Sequence, residues 1–201
     1  MAPPRTDGVD ARQAKALSGM AMGAAIMFVF GVLWLLVGLS GGRFSPPPVR
    51  ISLAVGGVLL AIWIAAQAVR AARIARSALP PTPEQAALDR QTGRRFGRIN
   101  AFQWGAIGAA ILGLNVLHRT GFIAPVIAII VGLHFFPLAR LFQRPSYYAT
   151  GIVGCAIGVS GFLISEPSVR LSVAGLSFGL LLWLTVVDVL VRLSTSVTTG
   201  E

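Results

Sequence analysis

Few side chains in this sequence could do chemistry inside apolar surroundings. His134 stands in IIVGLHFFPLARLF, three residues before Pro137, and Asp188 stands in LTVVDVL. Asn100, Gln103 and Trp104 share the strip INAFQWG; Gln67, Tyr147 and Tyr148 are the other polar groups of note. An imidazole can titrate near neutral pH or ligate a metal, and an amide can donate and accept at once. A metal centre needs several such ligands to converge. His118 is the only other histidine. At least 13 helical residues separate His134 from the start of its own apolar run, about 20 Å along the axis. The two cannot share one iron or zinc. No H-E-x-x-H, no histidine pair four apart and no Cys/His cluster occurs. Asp188 is the lone carboxylate within reach of these runs, so paired-aspartate proteolysis is excluded, and no serine has a base and an acid beside it. The expectation is no enzyme, no cofactor and no metal.

The elements that must position these groups are legible from charge. Six runs lack any charged residue: 16–42, 51–69, 99–118, 120–139, 145–165 and 171–187. A bilayer-spanning helix needs about 20 predominantly apolar residues, with about 17 as the lower limit, and the shortest run has 17. The chain is 55% hydrophobic and 12% charged, with a mean hydropathy of +0.75. A soluble domain carries about 25% charged residues. The runs show neither the polar stripe of a surface helix nor the alternation of a barrel strand. The first is too long for a signal peptide's apolar region and reads as a retained span. Cys155, the single cysteine, lies mid-membrane in the fifth run, where it has no partner for an intramolecular disulfide.

The fold expected is all-α: six transmembrane helices in three hairpins, at 18–40, 49–72, 99–117, 121–142, 146–165 and 169–192. Residues 1–15 read as a disordered tail, and 16–201 as a single transmembrane domain with a basic loop over 73–98. In that loop Thr82-Pro83-Glu84-Gln85 has the chemistry of a helix start, with a hydroxyl cap and a proline at the first position. A short interfacial helix across 83–92 is expected there. Small residues four apart, at Gly19/Gly23, Ala109/Gly113, Gly154/Gly158 and Gly175/Gly179, are expected to pack helix on helix.

The chain also repeats itself. Residues 31–63 align without a gap on 151–183, and Gly31, Gly38, Gly41, Pro47, Arg50 and Trp63 recur as Gly151, Gly158, Gly161, Pro167, Arg170 and Trp183. Because the unit is a pair of helices, the first and last hairpins are expected to be a parallel internal repeat about an axis along the membrane normal.

Basic residues set the orientation. Of 17 Lys and Arg, only Arg43, Arg50, Arg119 and Arg170 fall on the side away from the termini. Positive charge collects on the cytoplasmic side, so both termini are expected in the cytoplasm of a bacterium, with the helices in its inner (plasma) membrane. The net charge of +10 is then a topology signal and not a nucleic-acid footprint. Arg94, Arg95 and Arg98 are expected to contact anionic lipids of the inner leaflet.

With that orientation, His134 falls roughly 9–12 Å from the inner edge of the membrane, and Asn100, Gln103, Trp104 and Asp188 fall in the same cytoplasmic third. An ionisable group within a span is a functional candidate by default. Two readings follow. The polar groups line a vestibule open to the cytoplasm, with His134 at its centre; or His134 and Gln103 bond each other, or carbonyls freed by Pro137, and pin two helices. In either case His134 is expected to point into the bundle.

The strip 96–142, with NxxQW opening one helix and VGLHFFPLA closing the next, resembles bacterial multi-pass membrane proteins of unknown function. The resemblance marks Asn100, Gln103, Trp104, His134, Phe136 and Pro137 and brings no activity. The outer hairpins are similar to acid-resistance membrane proteins of the HdeD type, which implies the same three-hairpin arrangement. The function expected is a structural or regulatory role through partners or self-association, as a homo-oligomer; the alternative is a small-solute transporter or channel with a polar vestibule around His134.

Overall fold

A computed structural model of the chain describes residues 11–41, 46–77 and 82–198. It contains six helices and, among the described residues, no strand: α1 (Ala11–Ser40), α2 (Pro47–Ser77), α3 (Pro83–Val116), α4 (Ile123–Phe142), α5 (Pro145–Ser160) and α6 (Pro167–Thr198). Single 3-10 turns at Thr120–Phe122 and Gly161–Leu163 join α3 to α4 and extend α5. All six are long and apolar enough to cross a membrane.

Proline starts four of them, at Pro47, Pro83, Pro145 and Pro167. In the first turn its missing N–H costs nothing, since that donor would lack a partner anyway. Thr82 caps α3 as its chemistry dictates. Its hydroxyl accepts from the Gln85 amide at 3.3 Å, and the Gln85 side chain accepts from the Thr82 amide at 3.0 Å.

Three boundaries differ from expectation. Helix α1 begins at Ala11, so the last part of the expected tail is helical; residues 1–10 lie outside the described residues. Helix α2 runs on to Ser77. The basic loop over 73–98 is largely absent, because the interfacial helix and the third span are one continuous helix of 34 residues. The stretch 84–92 is rich in Ala, Leu, Gln, Glu and Arg, which favour helix. Gly93 and Gly97 each cost only about 1 kcal/mol there, too little to break a capped helix.

Helix α6 is the centre of the packing. Phe178, Val186, Val189, Leu190 and Leu193 are buried almost completely. Its tightest neighbour is α1, and the other tight pair is α4 with α5. Both pairs are glycine seams. A Cβ at Gly38 would lie 2.5 Å from the Leu176 amide nitrogen, and one at Gly132 would lie 2.7 Å from that of Cys155. The repeated glycines do the same job in each hairpin: Gly31 and Gly38 of α1 seat α6, and Gly151 and Gly158 of α5 seat α4. In both seams backbones touch, which is how helices gain dispersion energy where lipid competes on equal terms with apolar side chains. Polar pins join the seams to their neighbours. Thr150 and Thr185 bond at 2.9 Å between α5 and α6, and buried Gln67 of α2 donates to Ser194 of α6.

Leu17, Ala21, Ala71 and Leu193 cluster at one end of the bundle, termed the terminal end because α1 begins and α6 ends there. Helix α3 stands apart from this packing. It packs on α4 and the turn before it, and Ile107 is its one buried residue.

Candidate functional site

The space that α3 leaves open is a cleft of about 1690 Å³ between α1, α3 and α4, with α6 at its back. One stripe of α3 lines it: Gln85, Asp89, Thr92, Phe96, Asn100, Gln103, Ile107 and Ile111. Those steps of three, four and seven residues keep one face of a helix turned to one side. The cleft extends from Ser18, Gln85 and Arg144 at the terminal end to Ser40, Thr120 and Ser168 at the far end.

His134, Gln103, Asn100 and Trp104 all line it. Asn100 and Gln103 share a face of α3 at helical spacing, and His134 lies across from them on α4. No hydrogen bond joins His134 to Gln103, and none of the side chains of Asn100, Gln103 and His134 hydrogen-bonds another protein group among the described residues. Trp104 reaches across the cleft to Phe30 of α1, their ring centroids 5.9 Å apart. Phe136 turns the other way, to Tyr148 on α5 at 6.0 Å.

Asp188 is not part of this group. It accepts from Arg192 at 2.9 Å, one turn along α6. Leu182 lines the cleft, and six residues further on a helix has turned by about 240°. That rotation takes Asp188 off the lining of the cleft. Arg94, Arg95 and Arg98 are exposed on α3 and do not line the cleft; Gly93 before them and Phe96 between them do.

The middle of the cleft is apolar. Met22, Ile26, Met27, Phe30 and Leu33 of α1 face Ile107, Ile111, Ile127 and Val131 of α3 and α4. Gly19 and Gly23, expected to pack against another helix, instead line the α1 wall, and a Cβ on either would meet nothing within 4 Å. Gly113, the other glycine expected in a seam on α3, is likewise unopposed.

Two arginines read from sequence as topology signals have built surroundings. Arg144 caps the start of α5, just after Gln143 ends α4 in the left-handed conformation (φ 52°, ψ 43°). It is partly buried, lines the cleft and donates to Met20 Sδ. Arg170 is buried at the far end. It donates to the carbonyl oxygen of Ile164 from Nε at 2.9 Å and from Nη2 at 2.6 Å, and to that of Gly121 at 3.3 Å. Its guanidinium also lies 3.9 Å above the Phe122 ring. The signal was the conserved spacing within the repeat, but Arg50, its counterpart, is exposed.

Residues 100–192 are similar to a family of unknown function (DUF7010). The match opens at Asn100, takes in the α4 wall of the cleft and the α5–α6 pair, and stops at Arg192. No curated protein matches the chain, and no solved structure does. Among the described residues no group of His, Cys, Asp and Glu could hold a metal ion.

Proposed function

We propose that this multi-pass membrane protein has a structural or regulatory role, exercised by holding an elongated and largely apolar molecule in the cleft. The observation that carries the reading is the lining: polar groups at the terminal end give way to Met, Ile and aromatic side chains through the middle. A hydrated ion or small polar solute would have to shed its water there with nothing offered in exchange, at a cost of several kcal/mol. Methionine and aromatic side chains instead adapt to apolar ligands. The polar vestibule around His134 is on this reading one end of an amphipathic site and not the mouth of a solute path.

The bias of Arg and Lys toward the terminal end supports cytoplasmic termini in a bacterial plasma membrane. Reporter fusions after residues 90 and 195 are expected on the cytoplasmic side, and one after residue 45 on the other. The sequence repeat supports a common origin for the α1–α2 and α5–α6 hairpins.

Proteoliposome flux assays test the functional reading. Passage of inorganic ions and small polar solutes is expected at the level of protein-free vesicles. A saturable flux that disappears in Gly23→Phe, which fills the cleft, would overturn it in favour of a carrier.

A further inference from the structure

We propose that the cleft holds a single bilayer lipid with an anionic headgroup, seated against Arg144 at the terminal end, its chains lying between α1 and α3. The proposal rests on the reading of the cleft as a ligand site and names what that site takes.

The argument starts from Arg144. A guanidinium has five donors and binds a phosphate or carboxylate through two of them at once. Partly buried at the mouth of the cleft, this one meets the thioether of Met20, a weak acceptor. No carboxylate pairs with it among the described residues. Asp89, the one acid of the lining, is already engaged within the protein, and it lies further out along α3. Among the described residues the cation at the mouth therefore has no carboxylate in an ion pair with it.

Deeper in, the amides of Asn100 and Gln103 and the imidazole of His134 line the cleft with no protein partner among the described residues. At 1.5 Å per residue, His134 lies about 12 Å along α4 from its last residue, Phe142, and Arg144 follows just beyond that end. That interval matches the succession in a lipid of charged head, ester oxygens and chain. Donors are needed for the first two and none for the third, and the lining turns apolar where the chain would begin.

Size points the same way. The cleft's volume of about 1690 Å³ exceeds the roughly 300–1,000 Å³ typical of drug-sized sites. Within a bilayer, an apolar space this large and open to its surroundings takes up hydrocarbon. Gly19 and Gly23 deepen it on the α1 side.

The test uses the full-length protein in nanodiscs of equimolar phosphatidylglycerol and phosphatidylcholine with identical chains. Native mass spectrometry after transfer to detergent counts the lipids retained. One retained lipid is expected, with phosphatidylglycerol favoured about tenfold, as one charge-assisted hydrogen-bond pair provides. The preference is expected to vanish in Arg144→Gln, to persist in Arg144→Lys, and to survive the triple change of Arg94, Arg95 and Arg98 to Gln. Gly23→Phe is expected to abolish retention of either lipid; Gly19→Phe serves if the first variant fails to fold. Equal retention of both lipids, with both lost on filling the cleft, would overturn the headgroup assignment and leave the ligand site standing. So would a preference that survives Arg144→Gln. Retention that Gly23→Phe and Gly19→Phe leave unchanged in folded protein would overturn both.

Discussion

Arg170 donates across the far end of the bundle to the carbonyl oxygen of Gly121, 49 residues earlier in the chain, at 3.3 Å. The same side chain closes its own turn by bonding Ile164 and Ser165. One buried cation thus ties the α5–α6 turn to the α3–α4 turn without a carboxylate. Carbonyl dipoles and the face of Phe122 supply the negative potential instead.

Arg170→Gln is expected to lower stability by about 1–3 kcal/mol, because it leaves carbonyl groups at the far end without a donor. The same change at Arg50 is expected to cost less, because its side chain is exposed and not buried. Thermal melts of the two variants in one detergent check the contrast; equal effects would mean that the repeat preserves the role as well as the residue.

Glycine substitutions should separate seam from wall. A Cβ at Gly38 meets backbone at 2.5 Å, whereas one at Gly23 meets nothing within 4 Å. Gly38→Ala is therefore expected to part α1 from α6 and lower the melting temperature. Gly23→Ala is expected to raise stability by up to about 1 kcal/mol, the helix-propensity gain of alanine over glycine. Reversal of that order would mean that α1 is rotated relative to the cleft.

His134→Leu separates a cleft residue from a helix pin. A pin would lose a hydrogen bond worth about 1 kcal/mol. With no such bond in place, the change is expected to shift stability by less than about 0.5 kcal/mol while altering lipid retention. Loss of stability with unchanged retention would restore the pin.

Much of this architecture could be read from the residues. The six spans follow from charge alone, and the cap at Thr82 follows from a hydroxyl, a proline and an amide in the right order. The faces of the helices could not be read. In water, a polar stripe tells which side of a helix is buried. In a bilayer, lipid and protein interior are both apolar, so that stripe is missing. Gly19/Gly23 and Gly175/Gly179 have the same spacing, yet one pair lines a cleft and the other a seam. Asp188 and His134 fall in the same third of the membrane when read from sequence, but the face that α6 turns to the cleft is set by the α1 seam, a tertiary contact with no local trace. The merger of the interfacial helix with α3 was hidden by Arg90, Arg94, Arg95 and Arg98, which end an uncharged run without ending a helix.

The cap at Thr82 gives a fourth expectation. Thr82→Ala should cost about 1 kcal/mol of helix stability, felt only in the first turns of α3. Hydrogen exchange at Gln85 and Ala86 is expected to accelerate several-fold, with exchange near Ile107 unchanged. Acceleration along the whole helix would mean that α3 frays as one unit.

Helix α3 has no proline after its first residue and runs 34 residues in one piece, about 51 Å of stiff rod against a hydrocarbon layer of about 30 Å. Its fulcrum is α4, and its N-terminal arm lies at the terminal end with four arginines along it. A tilt of about 5° moves a tip about 20 Å from the pivot by about 2 Å. Whatever grips that arm from the aqueous side therefore works a lever whose short end is Trp104. Parting the middle of α3 from α1 asks that Trp104 lift from Phe30, with no helix unwound.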